Sequence, residues 1–245
     1  MRISRDALAR ESVCVNSILI PYAGNKPPKK ADKHREIDPA ERTFFEGLQE
    51  LLERQDQKSP KARFQSICGV DAAYSGDENR VVAVASLYSG RGGELIEESS
   101  YAGRATFPYV SGLFFLREGP FVNRAVERLS TKPDLICFDA HGISHPRHKG
   151  LATVCGMLLG TPSIGIAKSL LVGRIEKHTT ELAKIKHEGK TVGYVTFSPK
   201  RYWSPGYSIS IANLESIIQM YGNVCLDSIS SSDQRAKKIV KHGAI

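Results

Sequence analysis

The sequence contains no Cys-x-x-Cys pair, and its five cysteines (Cys14, Cys68, Cys137, Cys155 and Cys225) are odd in number and scattered. This excludes a zinc ribbon and argues against a disulfide framework. Cys68 and Cys137 sit in apolar runs and read as small core residues of a reducing compartment. Long hydrophobic runs are also missing: nothing approaches the roughly 18–20 residues that cross a bilayer, so no membrane partner is expected. The early apolar run 13–20 makes a poor secretory leader, because Asn16 and Ser17 interrupt it and Asp6 and Glu11 precede it. The expected compartment is the cytoplasm, or the nucleus in a eukaryote. Acidic residues are in the minority, with 26 Asp and Glu against 34 Lys and Arg for a net charge of +8. Such a surface suits phosphate backbones or acidic partners.

A chain of 245 residues can bury one sizeable core. Residues 22–38 combine Gly, Pro and a run of bases without apolar periodicity, and read as a solvated linker or basic arm. Asp38-Pro39-Ala40-Glu41 then has the form of a helix start, and Phe44, Phe45, Leu48, Leu51 and Leu52 follow at helical spacing to about Arg54. From Phe64 the pattern changes. Ile67–Ala73, Val81–Tyr88 and Glu94–Tyr101 are joined by short turn-rich connections and predict an antiparallel meander. Beyond Pro108 the pattern predicts a helix over 112–130, a strand over 134–139, a helix over 148–159, strands over 163–167 and 191–196, a helix over 213–221, and a basic tail or short helix at 235–242. A meander followed by alternating strands and helices implies an α/β fold, a mixed β-sheet flanked by helices.

Three carboxylates stand out. Asp71 interrupts the apolar run 67–74, where a free charge is costly to bury. Asp139 ends the buried-type strand Leu135-Ile136-Cys137-Phe138, just before Gly142 and Pro146 break regular structure. It reads either as a helix cap or as a group at a carboxyl-end crevice, where open α/β sheets place ligands. Glu118 falls early in the helix predicted over 112–130 and reads either as a solvent-facing glutamate or as a third hard oxygen donor. Two strand aspartates and a glutamate suit Mg²⁺, which binds through few carboxylates and keeps several waters. Lys168 ends the apolar strand 163–167, where it can steady a phosphate or snorkel to solvent. His141, His145 and His148 lack the register and the cysteines of a zinc site. The loop Thr106-Phe107-Pro108-Tyr109-Val110-Ser111-Gly112 offers an aromatic beside a proline, either a lid on the core or a wedge for a base stack.

Taken in order, Gly69-Val70-Asp71, Phe107-Pro108-Tyr109 with Gly112, Arg117-Glu118-Gly119-Pro120, Phe138-Asp139 with Gly142 and His145-Pro146-Arg147, Gly165 with Ala167-Lys168-Ser169, and Ser204-Pro205-Gly206 resemble the endonuclease V family over about residues 64–212. The resemblance implies a ribonuclease H-like fold and a Mg²⁺-dependent nuclease, with Mn²⁺ as an alternative ion. Its substrate would be inosine-containing DNA or RNA, cut at the second phosphodiester 3′ of the deaminated purine. By position it makes Asp71, Asp139 and Glu118 the catalytic and metal-binding carboxylates and Lys168 the active-site lysine. Pro108 and Tyr109 become the strand-separating wedge, and Gly112, Gly142, His145, Gly150, Leu151 and Gly165 border the hypoxanthine pocket. Residues 1–60 show little match to the family and are expected to form an N-terminal arm of basic linker and amphipathic helix packed on a catalytic domain at 61–245, and the protein is expected to be a monomer.

This sequence departs from the family at three points. Ser111 resembles the animal form of the wedge, for which RNA is a favoured substrate. Tyr207 follows Ser204-Pro205-Gly206 where a histidine that supports the metal centre is usual, and His141 replaces a small polar residue. Two other readings stay open: an inosine-binding protein whose catalysis has lapsed, and a different ribonuclease H-like nuclease such as a junction resolvase.

Overall fold

The computed structural model describes residues 37–52, 63–76, 80–176 and 182–242. Residues 1–36 of the arm, the polar stretch 55–61 and residues 77–79 of the first meander turn lie outside the described residues. Helix α1 (Pro39–Leu51) begins as its sequence dictates, with the Asp38 carboxylate accepting from the Ala40 amide at 2.7 Å and proline at the first turn. Its apolar stripe is not what it buries. Phe44, Leu48 and Leu51 are exposed, and the buried residue is Gln49, whose side chain finds hydrogen-bond partners across the interface.

The meander forms as expected from β1 (Ser66–Tyr74), β2 (Arg80–Ser89) and β3 (Leu95–Arg104), paired antiparallel in sequence. After α2 (Phe114–Glu127) come β4 (Leu135–Phe138), α3 (Leu151–Leu159) and β5 (Ser163–Ala167). β4 runs parallel to both β1 and β5. β6 (Arg174–Ile175), β7 (Leu182–His187), β8 (Lys190–Phe197) and β9 (Lys200–Pro205) complete a mixed sheet of order β3-β2-β1-β4-β5-β9-β8-β7-β6. The chain ends in α4 (Ile211–His242), a single helix of 32 residues. No helix among the described residues is long and apolar enough to cross a membrane.

Alternation along β4 shows how the layers form. Leu135 and Cys137 pack with Leu214, Ile217, Cys225 and Ile229 of α4, while Ile136 and Phe138 pack with Val122 and Ala125 of α2 and Leu151 and Cys155 of α3. The strand is thus covered on both faces, which is why four apolar residues occur in a row.

One glycine sets how closely α4 approaches. A Cβ on Gly69 would lie 2.2 Å from the Ser228 carbonyl carbon, and Ser232 donates to the Gly69 carbonyl at 2.9 Å. Backbone cannot swing aside as a side chain does, so Gly69→Ala is expected to destabilise the fold by about 1–3 kcal/mol. Urea unfolding measures this, and an unchanged midpoint would refute it.

Candidate active site

The sheet register brings the two aspartates level. Val70 pairs with Phe138 across the parallel β1/β4 ladder, and the Asp139 amide donates to the Val70 carbonyl at 3.2 Å. Val70 and Phe138 face α2 and α3, so the residues that follow them, Asp71 and Asp139, turn toward α4. Lys168 comes from the end of β5, next in the sheet, and its ammonium ion-pairs with Asp139. Asp139 is mostly covered, at 11% side-chain exposure, whereas Lys168 is open at 59%. Of the two readings of Asp139, the helix cap fails: Gly150 stands at the N-cap of α3.

Burial first, and then the neighbouring Asp139 charge, push the Asp71 carboxyl up to about 9, so without a cation it holds a proton near neutrality. That proton has a recipient. Asp233 on α4 hydrogen-bonds the Asp71 side chain and ion-pairs with Lys237 at 2.7 Å. Burial alone raises the Asp233 carboxyl, but hydrogen bonds from Lys237 and Asp71 outweigh it and hold it below the usual range. For Lys168 the opposition runs the other way: burial lowers it, and the bond to Asp139 wins and raises it.

Glu118 approaches from the α2 face. It is buried, and burial raises its carboxyl to about 7, partly opposed by a hydrogen bond with Tyr74. Asp139 adds to that rise, whereas Glu118 contributes least to the shift of Asp71. Burial, and then the Glu118 charge, push the ionisation of the Tyr74 hydroxyl up, and Arg117 opposes them. The Arg117 guanidinium lies over the Tyr74 ring, 4.7 Å from its centroid.

Among the described residues, no three His, Cys, Asp or Glu side chains form a complete metal-binding cluster. The donor set nevertheless fits a hard divalent ion. Asp71 and Asp139 supply buried oxygen and surplus negative charge, currently balanced by a proton and by the Lys168 ammonium. Beside them a cleft of about 460 Å³ opens between β9 and α4, lined by Asp139, Lys168, Arg201, Asp227 and Asp233. Asp233 belongs to the polar run Ser230-Ser231-Ser232-Asp233, which lacks any strand or motif signal. Its spacing from Ile229 and Ala236, both buried, is the cue that places it on the sheet side of a helix.

The expected pocket residues gather elsewhere, and none lines that cleft. Gly142, Gly150 and Gly165 let backbones touch: a Cβ would lie 2.0 Å from the Pro205 carbonyl oxygen, 2.3 Å from that of His141, and 2.3 Å from that of Ala140, respectively. Leu151 is buried as the first residue of α3. The His145 ring bonds the Gly112 carbonyl through Nε2 at 3.2 Å, and its Nδ1 accepts from the Arg147 amide. The ring therefore carries its proton on Nε2. Burial, then Arg147, pushes it down to about 4.

His141 also sits low through burial, with its Nε2 on the Ser169 carbonyl. Tyr207 is buried, with its Cβ close to where a Gly156 side chain would lie and its amide bonded to Ser163. The 105–112 loop bridges β3 and α2 with Pro108 and Tyr109 at its tip, and Tyr109 is 68% exposed, edge-on to Phe114 at 5.6 Å. It is not a lid on the core.

Level aspartates on neighbouring parallel strands of a mixed sheet, with a lysine beside them, form an arrangement suited to metal-assisted hydrolysis of a phosphodiester. The model of the family Endonuclease V matches residues 46–225. The Endonuclease V of Saccharolobus islandicus is 35% identical over 201 residues, covering 81% of this chain and 96% of that protein. Endonuclease V from Streptomyces avermitilis superposes with a TM-score of 0.72 at 24% identity, over 86% of this chain and 96% of that one. Ciona intestinalis Endonuclease V, in complex with a 23mer DNA containing an inosine followed by a ribo-adenosine, gives 0.73 at 18% identity, over 84% and 99%. The chain belongs to the Endonuclease V family and is a metal-dependent endonuclease.

Proposed function

We propose that this endonuclease cleaves a phosphodiester 3′ of inosine in DNA or RNA with Mg²⁺, Mn²⁺ being able to substitute, in nucleic-acid repair or inosine-RNA turnover. The observation that carries the reading is the level pair Asp71 and Asp139 with Lys168 beside them. Asp71 and Asp139 would hold the ion, with Asp233 and Glu118 completing the negative shell. A bound Mg²⁺ supplies an activated water and neutralises charge on the phosphate. Glu118, titrating near neutrality, can hold or pass a proton. Lys168, released from Asp139, is free to meet a phosphate oxygen.

The inosine complex of the Ciona relative supports the substrate class, and the net charge of +8 suits its backbone. Tyr109 with Pro108 would open the duplex, and Gly112, Gly142, His145, Gly150, Leu151 and Gly165 would frame the flipped base. The enzyme would act as a monomer in cytoplasm or nucleus, residues 61–245 forming the catalytic domain and 1–60 an arm.

Matched inosine and guanosine oligonucleotides, as DNA and as RNA, with Mg²⁺ or EDTA, test the proposal. Metal-dependent cutting of the inosine strand supports it. Binding without cutting would indicate lapsed catalysis, and indifference to inosine a different nuclease of this fold. Tyr109→Ala is expected to lower cleavage of inosine in a duplex on the order of tenfold, about the stacking energy of one base on an aromatic ring, and to leave single-stranded cleavage within about twofold. Equal loss on both substrates would remove the wedge role.

A further inference from the structure

We propose that Gln49 and Glu46 of α1 are positioning residues for the duplex-opening loop, acting through Arg147; this rests on the inosine endonuclease reading above. Three nitrogens of the Arg147 guanidinium each have a separate acceptor. Nε meets Gln49 Oε1 at 2.5 Å, Nη1 meets Glu46 Oε1 at 3.3 Å, and Nη2 donates to the Gly112 carbonyl at 2.8 Å. A planar fork held at three points has one orientation.

Gln49 is itself fixed at both ends. Its Nε2 donates to the Lys149 carbonyl at 2.5 Å, and the side chain is buried inside a helix whose apolar stripe stays exposed. Glu46 and Gln49 lie three residues apart, on one face of α1. The same helix touches the start of the loop as well, with Phe45 edge-on to Phe107 at 5.4 Å.

At the far end of the loop, the Gly112 carbonyl takes both Arg147 and His145. Gly112 has φ +84°, and a Cβ there would lie 2.7 Å from Arg147 Nη2, so this close grip requires glycine. Near its start the Phe107 carbonyl accepts from Arg117 at 2.7 Å, the neighbour of Glu118. Tyr109 is thus carried on a loop tied at both ends. One of the two ties at Gly112 runs through Arg147 to α1.

The test uses Gln49→Met, Arg147→Lys and their double variant in the full chain, with Glu46→Gln as a milder change should Gln49→Met fold poorly. The ratio of kcat/KM for inosine in a duplex to that in a single strand is expected to fall on the order of tenfold in each single variant, the effect of losing a hydrogen bond to a charged group. The double variant should fall little further, because both changes break one linkage. A merely structural role would lower both substrates in proportion and leave the ratio unchanged.

Hydrogen exchange supplies a readout independent of activity: amides of 106–113 should exchange faster in the variants while those of β1 and β4 stay protected. Unchanged exchange over 106–113 overturns the proposal, whatever the substrate. If the wild-type protein cuts neither inosine strand, the functional reading fails, and exchange alone still decides the role of Gln49 and Glu46.

Discussion

Asp139→Asn is expected to reduce cleavage at least about 10²- to 10³-fold, the loss typical of removing one charge-stabilising group, while nucleic-acid binding changes little. The side chain keeps its size, so the loop from His141 to Gly150 has no reason to move. What disappears is a formal charge beside Lys168 and level with Asp71. Binding should survive because the surface basic charge and the Tyr109 loop are untouched. Single-turnover cleavage and a separate binding titration in EDTA measure the two effects. Cleavage within tenfold of wild type would remove Asp139 from the chemistry, and loss of binding equal to the loss of cleavage would assign it to substrate docking.

The strands near the site were legible because their burial is simple. β4 and β5 are short and buried at every position, with Pro133 and Pro162 close before them, and β5 falls over the residues its composition predicts. The two aspartates were legible for a related reason: a carboxylate in an apolar run needs a partner.

Beyond β5 only β8 was legible, over the 191–196 that its pattern predicts; β6, β7 and β9 were not. β9 ends in Ser204-Pro205, and proline argues against an interior strand, yet β9 lies between β5 and β8. Proline is tolerated there because it is the last residue of the strand. β7 alternates Leu182-Ala183-Lys184-Ile185-Lys186 over too few residues to stand out.

Helix α4 was underestimated most. The pattern predicts a helix at 213–221 and a separate basic segment at 235–242, whereas one helix spans both. Its middle carries Ser228 and Ser230 to Ser232, which give no apolar period. Ser228 and Ser232 are buried because the glycine opposite them, Gly69, admits only small side chains at that distance. Hiding the helix also hid Asp233. The contribution of α1 was illegible for a further reason: the residue it buries is Gln49, and a hydrophobic pattern cannot identify a contact made by an amide.

The second large effect separates stability from activity. Asp71→Asn is expected to abolish metal-dependent cleavage and at the same time make the metal-free protein more stable at pH 8, by several degrees in Tm. Burial and Asp139 raise the Asp71 carboxyl from 3.8 to about 9 in the fold. Between those values the unfolded chain has released a proton that the native state still holds. Stability from this group is complete below pH 3.8 and declines as pH rises toward 9. Glu118, raised from 4.5 to about 7, acts in the same direction over a narrower window.

Asparagine is neutral at every pH and removes the larger slope. A divalent cation does the same for the wild type by taking the place of the proton, so its stabilisation should grow with pH. It should vanish in Asp71→Asn. On the acid side His145 has the opposite sign: it is pushed from 6.5 down to about 4, and stability is lost as pH falls through that interval. His145 offsets only part of the decline below pH 6.5, so these three groups together make the metal-free protein lose stability from pH 4.5 to 9, and added Mg²⁺ should flatten that decline. Thermal unfolding at pH 6 and 8, with Mg²⁺ and with EDTA, reads all of these terms. An Asp71→Asn protein less stable than wild type at pH 8 in EDTA would mean that the aspartate is held by bonds stronger than its burial and its neighbour oppose, and a metal site built on stored repulsion would have to be abandoned.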